Sequence, residues 1–126
     1  MSSALLWQVI RGGTCFTRRG LHGESFSSEA GNLKNKHCYK YSGVSNADAI
    51  DVSATEDAIA LTVGRPKNAN KPVASKKTQI IKKNARKALR SVGKQAASFR
   101  PDLKPAAQAR AAALAKSLRV KKASKK

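Results

Sequence analysis

The chain has 126 residues, 26 of them Lys or Arg against 7 acids, for a net charge of +19 and a pI near 10.7. That length admits one small domain, and no apolar run approaches the roughly 20 residues of a membrane span, so transmembrane helices are excluded. So large an excess of one sign calls for a polyanionic partner, nucleic acid before an acidic membrane.

The opening stretch, MSSALLWQVIRGGTCFTRRGLHGESFSS, has two readings. It holds no acid before Glu24, as mitochondrial transit peptides do. It also reads as a first helix, capped by Ser2 or Ser3, with Leu5, Leu6, Val9 and Ile10 on one face and Gly12-Gly13 at its end. TCFTRRG and ESFSS follow as short strands about a turn from Gly20 to Gly23. NLKNKHCYKYSGV alternates Tyr39 and Tyr41 with Cys38 and Lys40, which predicts a half-buried strand. The tyrosines are expected to pack in the core or across strands sooner than stack on bases. Cys15, His22, His37 and Cys38 lack the close-spaced pairs of a structural zinc site, so free buried thiols and no metal are expected.

AIDVSA, TED and AIALTV form the clearest unit. Ile50, Val52 and Ala54, then Ile59, Leu61 and Val63, alternate with smaller or polar residues, which predicts a hairpin whose apolar face needs a helix to cover it. Residues 64–77, rich in Gly, Pro, Asn and Lys, read as a cationic loop. From Thr78 the period becomes helical: Ile81, Ala85, Ala88/Leu89, Val92, Ala96 and Phe99. Lys82, Arg86, Arg90 and Lys94 form an i,i+4 row on the same predicted helix, which carries no acid. Like charges at that spacing destabilise a helix by roughly 0.2–0.5 kcal/mol per pair. Solvated faces normally mix both signs, and phosphates lying against this one account for it better. In RPDLKP, Asp102 is the expected N-cap of a second helix with Pro105 in its first turn. Leu103, Ala107, Ala111, Leu114 and Leu118 form its stripe, and 120–126 reads as a disordered basic tail.

Charge divides the chain. Residues 1–63 hold six cations and six acids, whereas residues 64–126 hold twenty cations and one acid, Asp102. The apolar fraction of 40% overstates the core, because 21 of those residues are alanine and only 24 are Leu, Ile, Val or Phe. A core that modest stands little self-repulsion.

No nucleophile elbow, P-loop or dinucleotide fingerprint is present, and neither histidine stands near a nucleophile at a suggestive spacing, so no enzyme is expected. Nucleic-acid binding has positive support, because affinity from counterion release grows with each phosphate contact. Few aromatics and widely scattered cations suit the backbone of a folded RNA, not a base-stacking platform or groove reading. The candidate contacts are Arg18 and Arg19 in the first strand, then Lys34, Lys36 and Lys40. Arg65, Lys67, Lys71, Lys76 and Lys77 follow in the loop. Lys82, Lys83, Arg86, Lys87, Arg90 and Lys94 lie on the helix, and Arg100 and Lys104 beyond it.

The order of segments also carries a resemblance. SSALLWQVIR, FSSEAGNLKNKHCYKYSGV, AIDVSATEDAIALTV, KKNARKALRSV and FRPDLKPAAQARAAAL resemble, in sequence and in order, the eukaryote-specific family of large-subunit ribosomal proteins numbered twenty-eight. The NLK-x4-YKYSG and RPDL stretches are the most specific. The resemblance implies a structural, non-catalytic component of the cytosolic 60S subunit, bound to ribosomal RNA beside neighbouring ribosomal proteins after passage through the nucleolus. It implies no cofactor, catalytic residue or metal ligand. It also places the opening segment in the mature domain, where Leu5, Trp7 and Ile10 are expected to add bulk to the core. A nucleolar assembly factor shares the domain type but carries long acidic extensions, and a sequence ending at 126 without them favours the ribosomal protein.

The expected fold is α+β: an N-terminal helix, a small antiparallel sheet, two basic amphipathic C-terminal helices and a disordered basic tail. Residues 1–119 are expected to form one domain, of which 1–63 is a neutral helix-plus-strands part, 64–77 the basic loop and 78–119 the two helices. No small-molecule substrate, membrane or homo-oligomer is expected. A linker-histone-like chromatin protein is the alternative from another class, suggested by the alanine-lysine C-terminal sequence. A membrane-surface polycation ranks below it, because the helices lack faces rich in Trp, Phe and Leu.

Overall fold

The computed structural model describes residues 2–68, 70–71 and 73–124. Its elements are α1 (Ser3–Ile10), β1 (Thr17–Arg19), β2 (Ser25–Ser27), β3 (Ile50–Ala54), β4 (Ile59–Gly64), β5 (Lys76–Ile81), α2 (Ala85–Phe99) and α3 (Lys104–Ala123). The architecture is α+β, with a β1–β2 hairpin and a three-stranded antiparallel sheet ordered β3-β4-β5.

The predicted hairpin forms in the register its alternation requires. Ile50 faces Val63, Val52 faces Leu61 and Ala54 faces Ile59, so the apolar side chains share one side of the sheet. Thr55 closes the loop by donating both its backbone N–H and its hydroxyl to the Ala58 carbonyl, at 2.9 and 3.0 Å. Two helices cover that face. Ala88, Val92 and Ala96 of α2, with Leu103 before α3 and Ala106, Ala107 and Ala111 on it, complete the buried cluster, and Leu89, Phe99, Leu114 and Leu118 pack at its margin. Alanines at the facing positions let the helices approach closely, and Ile50, Leu61, Val52 and Val92 are buried almost completely. Burying each of these larger side chains stabilises the fold by about 1.5–3 kcal/mol. The core thus joins the neutral half of the chain to the cationic half.

Residues 76–81 are a strand, where the sequence pattern suggested the end of a basic loop and the start of a helix. β5 pairs with β4 from Gly64↔Lys76 to Ile59↔Ile81. That pairing satisfies backbone groups that β4 would otherwise leave open, and it buries Ile81 beside Ile59. Ile81 therefore belongs to the sheet, and its helical spacing to Ala85 carries across a strand-to-helix junction. Lys82 and Lys83 lie in that junction, and the helix begins only after Asn84. The loop before β5 is correspondingly shorter and holds a 3-10 turn, Pro66–Asn68.

The Tyr39–Tyr41 strand does not form. Between β2 and β3 the chain runs irregularly, with one isolated bridge, Phe26↔Lys36. Gly31 (φ 85°) and Asn35 (φ 54°) take left-handed conformations that interrupt extended pairing. Side chains then satisfy the backbone: Asn32 Nδ2 donates to the Lys36 carbonyl at 2.8 Å and to Glu29 Oε1 at 3.1 Å. Asn46 Nδ2 donates to the Tyr39 and Ser42 carbonyls at 2.7 and 2.9 Å. Tyr41 packs on the core margin.

α1 forms as expected, with Leu5 N–H donating to the Ser2 cap at 3.3 Å, but it does not feed the core. None of its residues is buried, and Leu5 and Val9 are 54% and 74% exposed. Trp7 rests instead on His37 and Tyr39, at ring separations of 5.1 and 5.9 Å, while Ser3 and Tyr39 share a hydroxyl hydrogen bond of 3.0 Å. The thiols are free, yet Cys15 is exposed and Cys38 only partly covered. α3 continues through Ala123, so residues 120–123 of the supposed disordered tail are helical, and Lys125 and Lys126 lie outside the described residues.

Asp102 is not an N-cap. Leu103 holds that position, and the Asp102 carboxylate instead accepts from Arg100 Nε and Nη2 at 3.3 and 2.7 Å. The Arg100 hydrogen bond holds the Asp102 carboxyl below its ordinary value of 3.8, with burial opposing it and the Arg100 charge adding to it. A depressed folded pKa stabilises the fold above the unfolded pKa, and that contribution is lost as pH falls through the folded value. Melts of wild type and Asp102→Asn should therefore differ by a constant amount at neutral pH and converge below pH 3.8. A gap that persists undiminished into acid would show that the carboxylate charge contributes nothing.

Candidate nucleic-acid interface

On α2, at about 100° per residue, Arg86, Lys87, Arg90 and Lys94 fall within an arc of about 100° opposite the buried Ala88, Val92 and Ala96. All four cations are exposed, as are Lys82 and Lys83 just ahead of them. The first turn of α2 carries no acid, and Asn84 makes no side-chain cap hydrogen bond. Orphan N–H groups, the positive end of the helix dipole and four Lys or Arg side chains at positions 82, 83, 86 and 87 thus coincide. Each cation near a helix N-terminus is unfavourable by roughly 0.3–1 kcal/mol, and an anion there reverses the sign.

The fold adds cations that sequence spacing alone does not group with these. The second half of α3 returns beside the start of α2, so Lys116 and Arg119 line a groove with Asn84, Ala85 and Leu89. Lys122 follows one turn later and pairs with exposed Asp57 at 3.2 Å. Their i,i+3 spacing is visible in the sequence, but only the packing of α3 on α2 brings them to this end of the molecule. Along β5, Lys76 and Lys77 are exposed at the far end from Lys82. At about 3.3 Å per residue Lys76 stands roughly 20 Å from Lys82, with the uncharged Thr78, Gln79, Ile80 and Ile81 between Lys77 and Lys82.

The remaining candidates are dispersed. Arg65, Lys67 and Lys71 are exposed in the connection before β5, and Lys104 at the start of α3. Lys34 and Lys40 hold their Nζ atoms 5.3 and 5.8 Å from the centre of the Tyr41 ring. Lys36 is exposed beside the bridge to Phe26, and Arg18 and Arg19 lie on the separate β1–β2 hairpin. Arg100 differs from all of these. Its side chain is 19% exposed, pairs with Asp102, and donates to the Asp48 and Lys40 carbonyls at 3.4 Å each. That geometry ties the irregular 40–48 segment to the end of α2.

Among the described residues no cluster of His, Cys, Asp and Glu could hold a metal ion. No helix there is long and apolar enough to cross a membrane.

Residues 5–117 match the family model of the Ribosomal L28e protein family. The chain is 39% identical over 125 residues to the large ribosomal subunit protein eL28 of Caenorhabditis elegans, covering 98% of this chain and 94% of that one. It is 37% identical over 111 residues to the protein of the same name from Dictyostelium discoideum, covering 87% and 83%. Against that of Schizosaccharomyces pombe the identity is 33% over 129 residues, covering 97% and 96%.

Proposed function

The chain belongs to the ribosomal L28e protein family, and from that premise we propose that it is a structural component of the cytosolic large ribosomal subunit, binding folded ribosomal RNA through phosphate contacts. The observation that carries the RNA reading is the strongly basic surface at the start of α2, beside which the acid Asp57 is paired with Lys122. It gathers Lys82, Lys83, Arg86 and Lys87 around a helix N-terminus, with Lys116 and Arg119 alongside. Such an arrangement is destabilising in the free chain and relieved by phosphates. The protein acts as a single copy beside neighbouring large-subunit proteins, and joins the particle in the nucleolus before export to the cytoplasm. The family is one of structural proteins, and the cations of this surface position charge; they do not perform chemistry.

Sucrose-gradient sedimentation of a cell lysate, probed for this protein before and after ribonuclease or deoxyribonuclease, tests the reading. The protein should co-sediment with large subunits, and ribonuclease alone should release it. Retention in chromatin that only deoxyribonuclease releases would overturn the proposal in favour of a DNA-binding role.

A further inference from the structure

On the face of the sheet away from the helices, the irregular 28–49 segment folds over the ends of β3, β4 and β5 and leaves a cleft of about 250 Å³. Its walls are small and mostly apolar: Ala30, Gly31, Gly43, Val44, Ala47 and Ala49. Three glycines set their spacing. A Cβ on Gly64 would stand 2.5 Å from the Ala47 carbonyl oxygen, one on Gly31 would lie 3.2 Å from Ala49 Cβ, and one on Gly43 would overlap the Ala30 carbonyl. The cleft is therefore built by close backbone approach and is not a gap between loose loops. Its polar lining carries both signs of charge and includes Asn46 and Ser75. Asp51 and Thr62 line it from the sheet, and Arg65 and Lys76 also contribute to the lining.

Asp51 makes no hydrogen bond or ion pair among the described residues, although two cations line the same cleft. In a chain of net charge +19 an unpaired, partly buried acid is out of place unless something else supplies donors. A cleft slightly below the roughly 300–1,000 Å³ of drug-sized ligand sites has room for one planar ring between its walls. An ionised carboxylate offers acceptors only. Among the RNA bases, guanine alone presents two adjacent donors, N1–H and N2–H, on its Watson–Crick edge. Adenine and cytosine set an acceptor ring nitrogen beside their amino group, and uracil sets its single N–H between two carbonyls. Unstacked bases in RNA loops are read on this edge.

We propose that this cleft receives an extrahelical guanine of the ribosomal RNA, its N1–H and N2–H donating to the Asp51 carboxylate and its backbone phosphate lying against Arg65 and Lys76. The inference rests on the ribosomal reading above and adds a base-specific contact to a surface otherwise read as phosphate-binding.

The test uses large subunits purified from cells whose sole copy of the protein is wild type, Asp51→Asn or Asp51→Ala. Kethoxal attacks guanine at N1 and N2, and dimethyl sulfate reports adenine N1 and cytosine N3. One guanine protected in wild-type subunits should become roughly tenfold more reactive to kethoxal in both variants, as expected when a bidentate hydrogen-bonded pair with a base is removed. The protein should stay at wild-type stoichiometry, because its phosphate contacts are untouched. The near-isosteric Asp51→Asn carries the test if the alanine variant is lost from the particle. No change at any guanine, or new reactivity at an adenine or cytosine instead, would overturn the proposal while leaving the ribosomal reading intact. Absence of the wild-type chain from large subunits would instead overturn the ribosomal reading, and this inference with it.

Discussion

Exchanging Arg86 and Lys87 for glutamate together is expected to stabilise the free protein while weakening its hold on ribosomal RNA roughly a hundredfold. The two residues occupy the second and third positions of α2, after an Asn84 whose side chain caps nothing. Glutamate at the third position reproduces the capping-box arrangement, and acids in the first turn complement the helix dipole. Replacing two unfavourable cations by two favourable acids should raise stability by about 1–2 kcal/mol, or several degrees in melting temperature for a domain of this size. RNA binding should move the other way. Freeing one phosphate from its cation lowers the slope of log K against log salt by about 0.7–0.9, so the double variant should show a slope shallower by roughly 1.4–1.8. Melts of the free chain, with filter binding to large-subunit RNA across a salt series, measure both. Parallel losses of stability and affinity would indicate that these side chains support the fold and not the interface.

Gly43→Ala is expected to be severely destabilising, by about 3 kcal/mol or more. The new methyl would overlap the Ala30 carbonyl oxygen and approach two Gly31 backbone carbons at 2.9 Å each. Those neighbours are main-chain atoms of a segment held by Asn32, Asn46 and Arg100, so no side chain can turn aside to make room. Gly93→Ala provides a control within α2. There the methyl would meet the Gln108 side chain, 2.8 Å from its amide carbon, which can rotate away. The gain in helix propensity, up to about 1 kcal/mol, offsets what remains. Thermal melts should rank the Gly43 variant far below the Gly93 variant. Equal stabilities would mean that the 30–31 and 43 segments do not touch as described.

The parts of this fold that were legible in the sequence are those where a period meets its own local boundary. Ile50 to Val63 alternates cleanly around Thr55-Glu56-Asp57, and Leu103 to Leu118 keeps one stripe after the RPDL break, so hairpin and helix follow directly. Three features were not legible, each for a physical reason. β5 was hidden because Ile81 satisfies the strand period and the helical period of α2 alike, and only pairing with Ile59 decides between them. Tyr39 and Tyr41 alternate as a strand does, but left-handed Gly31 and Asn35 and the Asn46 hydrogen bonds give their segment another course. α1 is amphipathic, yet the buried cluster is completed by residues of α2 and α3, and the helix rests through Trp7 on His37 and Tyr39. At the candidate interface, the Arg86–Lys94 row was readable from spacing alone. Lys116 and Arg119 needed the return of α3, and Arg100 is set apart from the other cations by its burial, its Asp102 pair and its carbonyl partners.

A core shared across the charge boundary also sets an order of events during synthesis. The β3–β4 hairpin is finished at Gly64, but the surfaces that cover it, Val92 and Ala96 and then Ala107 and Ala111, emerge only much later along the chain. Two strands with an apolar face and no cover are at best marginally stable in water. The neutral half therefore cannot fold ahead of the basic half. By the time Ile50, Val52 and Leu61 find their partners, the nascent chain already displays the lysines and arginines of β5 and α2. A growing polypeptide in that condition is open both to hydrophobic aggregation and to stray RNA. Newly made molecules should need a companion that shields acid-poor, unfolded segments until α3 docks.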